Sequence, residues 1–356
     1  MSADGISGRL IADARYVLGA PARAFEQVRY TIVGLKTGDV PPRRVAAKVL
    51  ATSFALLMIG ALLFPIYWIF LASLSGSGGS LYSSNDFRLW PQHPSVDAYR
   101  WVLGGMEISS LEIGISLLGY EIALNTPGVS TTVDCAKYGG CSDFPLFLWN
   151  SLTVAIPTVI LTMCVVVPAA YALSRRKFLF RSKILYGYVL FTQVGGGLGV
   201  AALIALYATF VQVGLDNNKL ALSAYYAATA VPFNTWLLKT YMDNIPTSYE
   251  EAAMIDGASS WRIVWEVILP LSKAGLATVL VFSFLAGWTE FIVAQLLLNA
   301  DKYTLPVGLY SLVGKYSTPW ARFSEFALTF ATPLMLVYLF VQRYIESGLS
   351  FGGMEG

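Results

Sequence analysis

The sequence predicts an all-α membrane protein with six spanning helices. Three observations carry that class. Of 356 residues, 56% are hydrophobic and only 13% are charged, whereas an average soluble domain carries about 25% charged residues. The apolar residues gather into six runs near the length, about 20 residues, that a helix needs to cross a bilayer. Lysine and arginine are divided unequally between the segments that join those runs. The net charge of +2 is too small to mark a nucleic-acid partner.

The elements follow in order. Residues 1-46 form an N-terminal tail with no uninterrupted apolar core, so no signal peptide is predicted. Within it Leu10, Ile11, Ala14, Val17 and Leu18 recur at helical spacing, as do Phe25, Val28, Ile32 and Val33. Short amphipathic helices on the membrane surface fit that spacing, and a loose tail is the alternative. The spans run about Val49–Leu71, Asn150–Leu173, Ile184–Val211, Leu220–Leu238, Ala274–Leu298 and Phe326–Tyr344. The fourth is the least apolar and contains Pro232 and Asn234. A proline is tolerated in a span when neighbouring groups satisfy the carbonyl it frees.

The basic residues orient the chain. With the N-terminus inside, the inner segments hold 17 of the 24 lysines and arginines, and the outer loops hold 7. The densest group is Arg175, Arg176, Lys177, Arg181 and Lys183. Both termini are therefore expected in the cytoplasm. The outer loop at about Ser73–Leu148 carries three basic and seven acidic residues, and its apolar stretch Ile113–Leu118 predicts that part of it folds. Loops of this length are usually functional or disordered. This one reads as a docking surface or a solvated spacer.

Chemistry has few residues to work with. There is one histidine, His93, with no visible partner, and there are three cysteines. Cys164 sits in an apolar run and reads as packing. Cys135 and Cys141 are a candidate disulfide if their loop faces an oxidising compartment, with two free thiols as the alternative. No metal site and no catalytic constellation is expected. No G-x-x-x-x-G-K-[ST] phosphate loop occurs, and Gly195-Gly196-Gly197-Leu198-Gly199 lacks the lysine. Glu290 is the clear charge within a span and is a functional candidate by default, or else a cap for a neighbouring helix. Tyr225, Tyr226 and Trp288 are candidate stacking partners for a sugar ring, with ordinary membrane packing of aromatics as the reading favoured over it.

The segment between the fourth and fifth spans is the most structured of the connections. Thr247 or Ser248 is placed to cap a helix with Glu250 and Glu251 in its first turn. Ala252 and Ala253 keep that helix thin, and Asp256 precedes Gly257, which permits a left-handed turn. A second helix at about Ser260–Ile268 ends near Pro270. The residues 247-270 thus predict a helix–turn–helix knob facing the cytoplasm. A surface for a partner and a plain amphipathic connector both fit it.

The knob resembles the EAA motif in permease subunits of ATP-driven, binding-protein-dependent importers. That family's pattern is E-A-A, then G, then I-x-L-P. Here it reads Glu251-Ala252-Ala253, Gly257 and Val267-Ile268-Leu269-Pro270, with valine at the isoleucine position. Other stretches resemble the carbohydrate, maltose-type branch: Asn150-Ser151-Leu152, Ala169-Ala170-Tyr171-Ala172-Leu173-Ser174-Arg175, Thr304-Leu305-Pro306-Val307-Gly308-Leu309 and Gly348-Leu349-Ser350-Phe351-Gly352-Gly353. The resemblance covers 47-356 as a transmembrane domain. It lapses over the tail and over an apparent extracytoplasmic insertion at about 105-145, and the third span lacks the prolines expected near its start.

The resemblance implies a type I ABC importer permease fold in the cell membrane. It implies transport of a carbohydrate, with no enzyme activity and no cofactor in this chain. It also implies a second permease subunit, a cytoplasmic ATPase dimer that binds ATP and Mg, and an extracytoplasmic sugar-binding protein. Glu250, Glu251, Ala252, Ala253, Asp256, Gly257 and Pro270 would form the ATPase-coupling surface. The other readings are an ion-coupled secondary carrier or channel, a permease of this family for a non-sugar solute, and a membrane scaffold.

Overall fold

A computed structural model describes residues 41–75, 90–91, 94–104, 142–181, 199–314 and 318–351, with six short strands between 82 and 130 and isolated residues of 183–190. The expected helices before residue 41, His93 and the Cys135–Cys141 pair lie outside the described residues. The chain divides into two units, Met1–Trp68 and Ile69–Gly356.

The described part of the first unit is the helix α1 (Pro42–Leu74) as far as Trp68. Its large side chains, including Leu50, Phe54, Leu57 and Leu62, are exposed. A helix that is apolar all round is suited to a membrane.

In the second unit, the end of α1 buries Leu71 and Ala72, and Ser73 hydrogen-bonds the hydroxyl of Tyr99 at 2.8 Å. Tyr99 lies on α2 (Asp97–Leu103). The outer loop is not wholly helical. Three antiparallel pairs form: β1 (Tyr82–Ser83) with β2 (Asp86–Phe87), β3 (Glu107–Ile108) with β6 (Val129–Ser130), and β4 (Glu112–Leu117) with β5 (Tyr120–Asn125). The last pair runs in register from Glu112 opposite Asn125 to Leu117 opposite Tyr120. Ile113, Ile115 and Leu117 alternate along it with a strand's period of two.

The helical body is built on α3 (Phe144–Arg175), α4 (Gly199–Val213) and α5 (Lys219–Asp243). The chain continues through α6 (Ser248–Ile255), α7 (Ser260–Leu271) and α8 (Lys273–Trp288). It closes with α9 (Ile292–Leu297), α10 (Leu305–Ser311) and α11 (Trp320–Phe351). α3 packs along α5 and α8, and α8 packs on α11. Close approach uses glycine: a Cβ on Gly287 would come within 2.9 Å of the Ala155 Cα, and one on Gly308 within 2.2 Å of Phe147.

By length and composition, three described helices can cross a membrane: Val45–Leu74, Phe144–Arg175 and Trp320–Gln342. α7 and α8 would make a fourth if counted together across their 82° bend. The count of six is not reached by this measure. α4 is a shorter apolar helix of 15 residues, and residues 191–198 of that candidate span lie outside the described set. The expected single helix Ala274–Leu298 is in fact two, because α8 stops at Trp288 and α9 starts at Ile292. The Glu290 side chain supplies the start of the second helix, as described below.

Candidate functional site

The helix–turn–helix knob forms, but Thr247, expected as a cap, itself takes helical backbone angles and makes no side-chain cap hydrogen bond to α6. α6 closes with Gly257 at φ +79°, in the left-handed region. The Ala258 amide donates to the Ala253 carbonyl at 3.0 Å and the Gly257 amide to Met254 at 3.0 Å. This is the paired bonding that ends a helix at a left-handed glycine. A Cβ at Gly257 would meet nothing within 4 Å, so the backbone alone demands glycine there. Ser259 then caps α7, its Oγ accepting from the Arg262 amide at 3.4 Å. Residues Ile263–Ile268 wind as a π-helix, in which each backbone hydrogen bond spans one residue more than in the expected α-helix. α7 runs one residue beyond Pro270, and after Ser272 the chain turns into α8.

The two glutamates of the motif separate. Glu251 is exposed, together with Ala252, Asp256, Gly257 and Pro270, while Ala253 is half-buried. Glu250 is buried at 8% exposure and faces inward. It forms an ion pair with Arg175 at the end of α3. The Tyr171 hydroxyl reaches its second oxygen at 3.4 Å. Arg175 also donates from Nη2 to the Ile245 carbonyl at 2.7 Å, and Ser174 donates to Asp243 at 2.6 Å. Beneath these contacts Ile263 and Ile268 pack with Val166, Ala170, Leu238 and Met242.

The outward face of the knob is apolar. Tyr249, Met254, Trp261 and Trp265 are exposed, and Ile255 is 87% exposed at the tip. Trp261 and Trp265 meet edge to face at 5.7 Å, beside an exposed Arg262–Glu266 ion pair. Apolar patches rimmed by polar residues are where proteins meet partners or membranes.

The candidates of the other half do not all converge. Tyr226 donates its hydroxyl to Glu290. Glu290 also accepts from the amides of Val293 at 3.0 Å and Ala294 at 3.2 Å, which caps α9. Tyr225 is half-buried, tilted against Tyr226 and edge-on to Phe210. Trp288 lies in a different core cluster, wholly buried between Phe284 and Phe330, with Nε1 donating to the Phe330 carbonyl at 3.2 Å. Tyr226 is enclosed as well, at 3% exposure. Among the described residues, no group of three His, Cys, Asp or Glu is placed to hold a metal ion. Cys164, read from sequence as packing, is exposed in the single chain.

Three residues in these contacts stand in the quoted sequence stretches without a site role. Arg175 entered as an inner charge and as the end of a family-like stretch, and its buried partner lies far along the chain. Asn150 donates to the carbonyls of Asp301 and Tyr303, both at 3.1 Å, and accepts from Lys219 at 3.1 Å. Its neighbour Ser151 accepts from the Leu305 amide at 2.7 Å. The stretches Asn150-Ser151-Leu152 and Thr304-Leu305-Pro306 are therefore two sides of one fastening. Their separate resemblances to the same family were the available signal.

Comparison with known proteins bears on this arrangement. Residues 128–351 match the family described as binding-protein-dependent transport system inner membrane component. The maltose/maltodextrin transport system permease protein MalG of Salmonella typhimurium is 37% identical over 216 residues, 59% of this chain and 72% of that protein. MalG of Escherichia coli K12 is 30% identical over 325 residues, 89% of this chain and 99% of that protein. The galactooligosaccharides transport system permease protein GanQ of Bacillus subtilis is 29% identical over 320 residues, again 89% and 99%. A chain from the crystal structure of a bacterial ABC transporter, involved in import of the acidic polysaccharide alginate, superposes with a TM-score of 0.60. It has 22% identity, covering 86% of this chain and 98% of that one.

Proposed function

This chain belongs to the family of binding-protein-dependent transport system inner membrane components, and we propose that it is one of two permease subunits of an ATP-driven carbohydrate importer. The relatives named for maltose, maltodextrin and galactooligosaccharide transport support the sugar class. The observation that carries the mechanism is the apolar face of Met254, Ile255, Trp261 and Trp265 on a chain with no phosphate loop of its own. ATP and Mg belong to a separate cytoplasmic ATPase dimer. An extracytoplasmic binding protein delivers the sugar, and a second permease completes the pathway.

In this reading the knob faces the cytoplasm and both termini lie there. Exposed Glu251 and the apolar face seat in the ATPase. Closure of the ATPase moves the knob, and the knob biases the helices between two states. It can do so only by the difference in binding free energy between those states. At the other end, Tyr225 and Glu290 are the half-buried groups available to a passing sugar. Tyr226 orients Glu290, and Trp288 holds α8 to α11.

The test is uptake by proteoliposomes holding this chain with its sister permease, ATPase and binding protein. Maltose or galactooligosaccharide accumulation that requires ATP supports the reading. Accumulation by this chain alone on an ion gradient would overturn it in favour of a secondary carrier.

A further inference from the structure

We infer that Arg175 and Glu250 are positioning residues that make the knob move with α3, and that the joint to α8 is the one that yields. The inference rests on the proposed coupling role of the knob and names the route by which its motion enters the helical body.

The two sides of the knob are built differently. On the entry side, Glu250 of α6 is ion-paired to Arg175, and the two side chains are 11% and 10% exposed. Arg175 simultaneously holds the Ile245 carbonyl at 2.7 Å, in the connection from α5. Tyr171, one helical turn earlier on α3, touches the other Glu250 oxygen. Ser174 binds Asp243 at the end of α5. One short stretch of α3, Tyr171 to Arg175, thus grips the end of α5, its connection and α6. On the exit side there is a π-helix over Ile263–Ile268, then Ser272, then an 82° change of direction into α8. The bend lies beside Pro270 and the π-turn, the usual causes of a sharp kink, and π-turns are frequent at functional sites.

Packing alone does not call for charge at this position. A buried ion pair gains little over a well-packed apolar pair of the same volume, because two charges must leave water. Breaking it, however, leaves one charge stranded, so the pair holds α3 and α6 in one relative position. Neither side chain lies on the outward face of the knob, where Glu251, Ile255 and Trp261 are exposed. Docking and transmission are therefore separable by mutation.

The experiment uses the assembled transporter in proteoliposomes, with Arg175→Gln and Glu250→Gln measured against the parent. Readouts are co-purification of the ATPase, basal ATP hydrolysis, and the hydrolysis and uptake stimulated by loaded binding protein. Both variants are expected to retain the ATPase and basal hydrolysis. Stimulated hydrolysis and uptake should fall by about tenfold, the scale of a lost coupling energy. Parental uptake in both variants would overturn the inference. Loss of the ATPase from both would also overturn it, because the pair would then merely shape the docking face. If either glutamine variant fails to insert, Arg175→Lys is measured. It keeps the charge but lacks the guanidinium fork that spans Glu250 and Ile245. Intermediate uptake with normal ATPase retention supports the inference, and parental uptake contradicts it. A parent that fails to bind the ATPase or to transport with ATP would remove the coupling reading itself, before any variant is compared.

Discussion

The knob and the Glu290 region each contain a carboxylate flagged by the sequence, and the two are used in opposite ways. Glu250 is buried by an arginine that belongs to another helix, so it ties α6 to α3. Glu290 is satisfied largely by its own following amides and by Tyr226, so it starts α9 where α8 has ended. The surroundings differ in the same sense. The knob carries its large apolar groups outward, with Ile255 and Trp261 exposed, while Trp288 near Glu290 is wholly enclosed. One region turns its large apolar groups outward, and the other is already closed. The lesson is that an acidic residue in a membrane chain says little about its role until its donors are known.

The largest expected effect is in the knob. Gly257→Val forces a branched side chain onto φ +79°, a strain of order 1–3 kcal/mol. Space is not the obstacle, since nothing lies within 4 Å of the added Cβ. Glu251→Lys places a cation on the exposed face where the proposed ATPase would meet an anion. Membrane insertion should be normal in both, while ATPase co-purification weakens and uptake is lost. Normal stimulated hydrolysis in both variants would erase the functional half of the comparison.

Trp288→Ala should show the reverse pattern. Deleting a fully buried aromatic costs about 3–5 kcal/mol. The thermal unfolding midpoint in detergent should drop clearly, while the ATPase remains bound to the folded fraction. A variant that unfolds normally yet sheds the ATPase would show that the two regions are not independent.

The smallest effect is at the cap. Tyr226→Phe removes one donor from Glu290 but leaves the two amides, so the stability loss should be about 1.5–3 kcal/mol, that of a hydrogen bond to a charged group. Glu290→Ala removes the cap, worth about 0.5–2 kcal/mol, and also strands the enclosed Tyr226 hydroxyl, so it should cost more than Tyr226→Phe. Thermal unfolding of both variants checks the order. A Tyr226→Phe loss larger than that of Glu290→Ala would mean that the tyrosine, not the helix cap, is what the carboxylate serves.

The knob was legible in the sequence because its information is local. A helix-ending glycine and a terminal proline act within one or two turns, whereas the expected cap at Thr247 makes no side-chain hydrogen bond to α6 and the cap that forms is Ser259 on α7. The break at Thr289 to Phe291 was not legible, because an apolar run from Ala274 to Leu298 gives the same hydropathy whether or not its helix is interrupted. Nothing in the apolar pattern of Ile263–Ile268 distinguishes a π-turn from an α-turn. The Arg175–Glu250 pair was missed for a different reason. Basic residues at a span's cytoplasmic end are read as topology signals, and their side-chain partners depend on tertiary packing. Aromatic identity was equally uninformative: Tyr225, Tyr226 and Trp288 read alike in sequence, yet one is half-exposed and two are enclosed.

The central claim is that the exposed face of the knob is where a cytoplasmic ATPase grips this chain. A photo-crosslinking amino acid placed at Ile255, which is 87% exposed at the knob's tip, tests it most directly in membranes of cells making the whole transporter. The account predicts an adduct between this chain and the ATPase at position 255, and none from the same label at the enclosed Trp288. Adducts to lipid alone at position 255, or equal ATPase adducts from both positions, would contradict it.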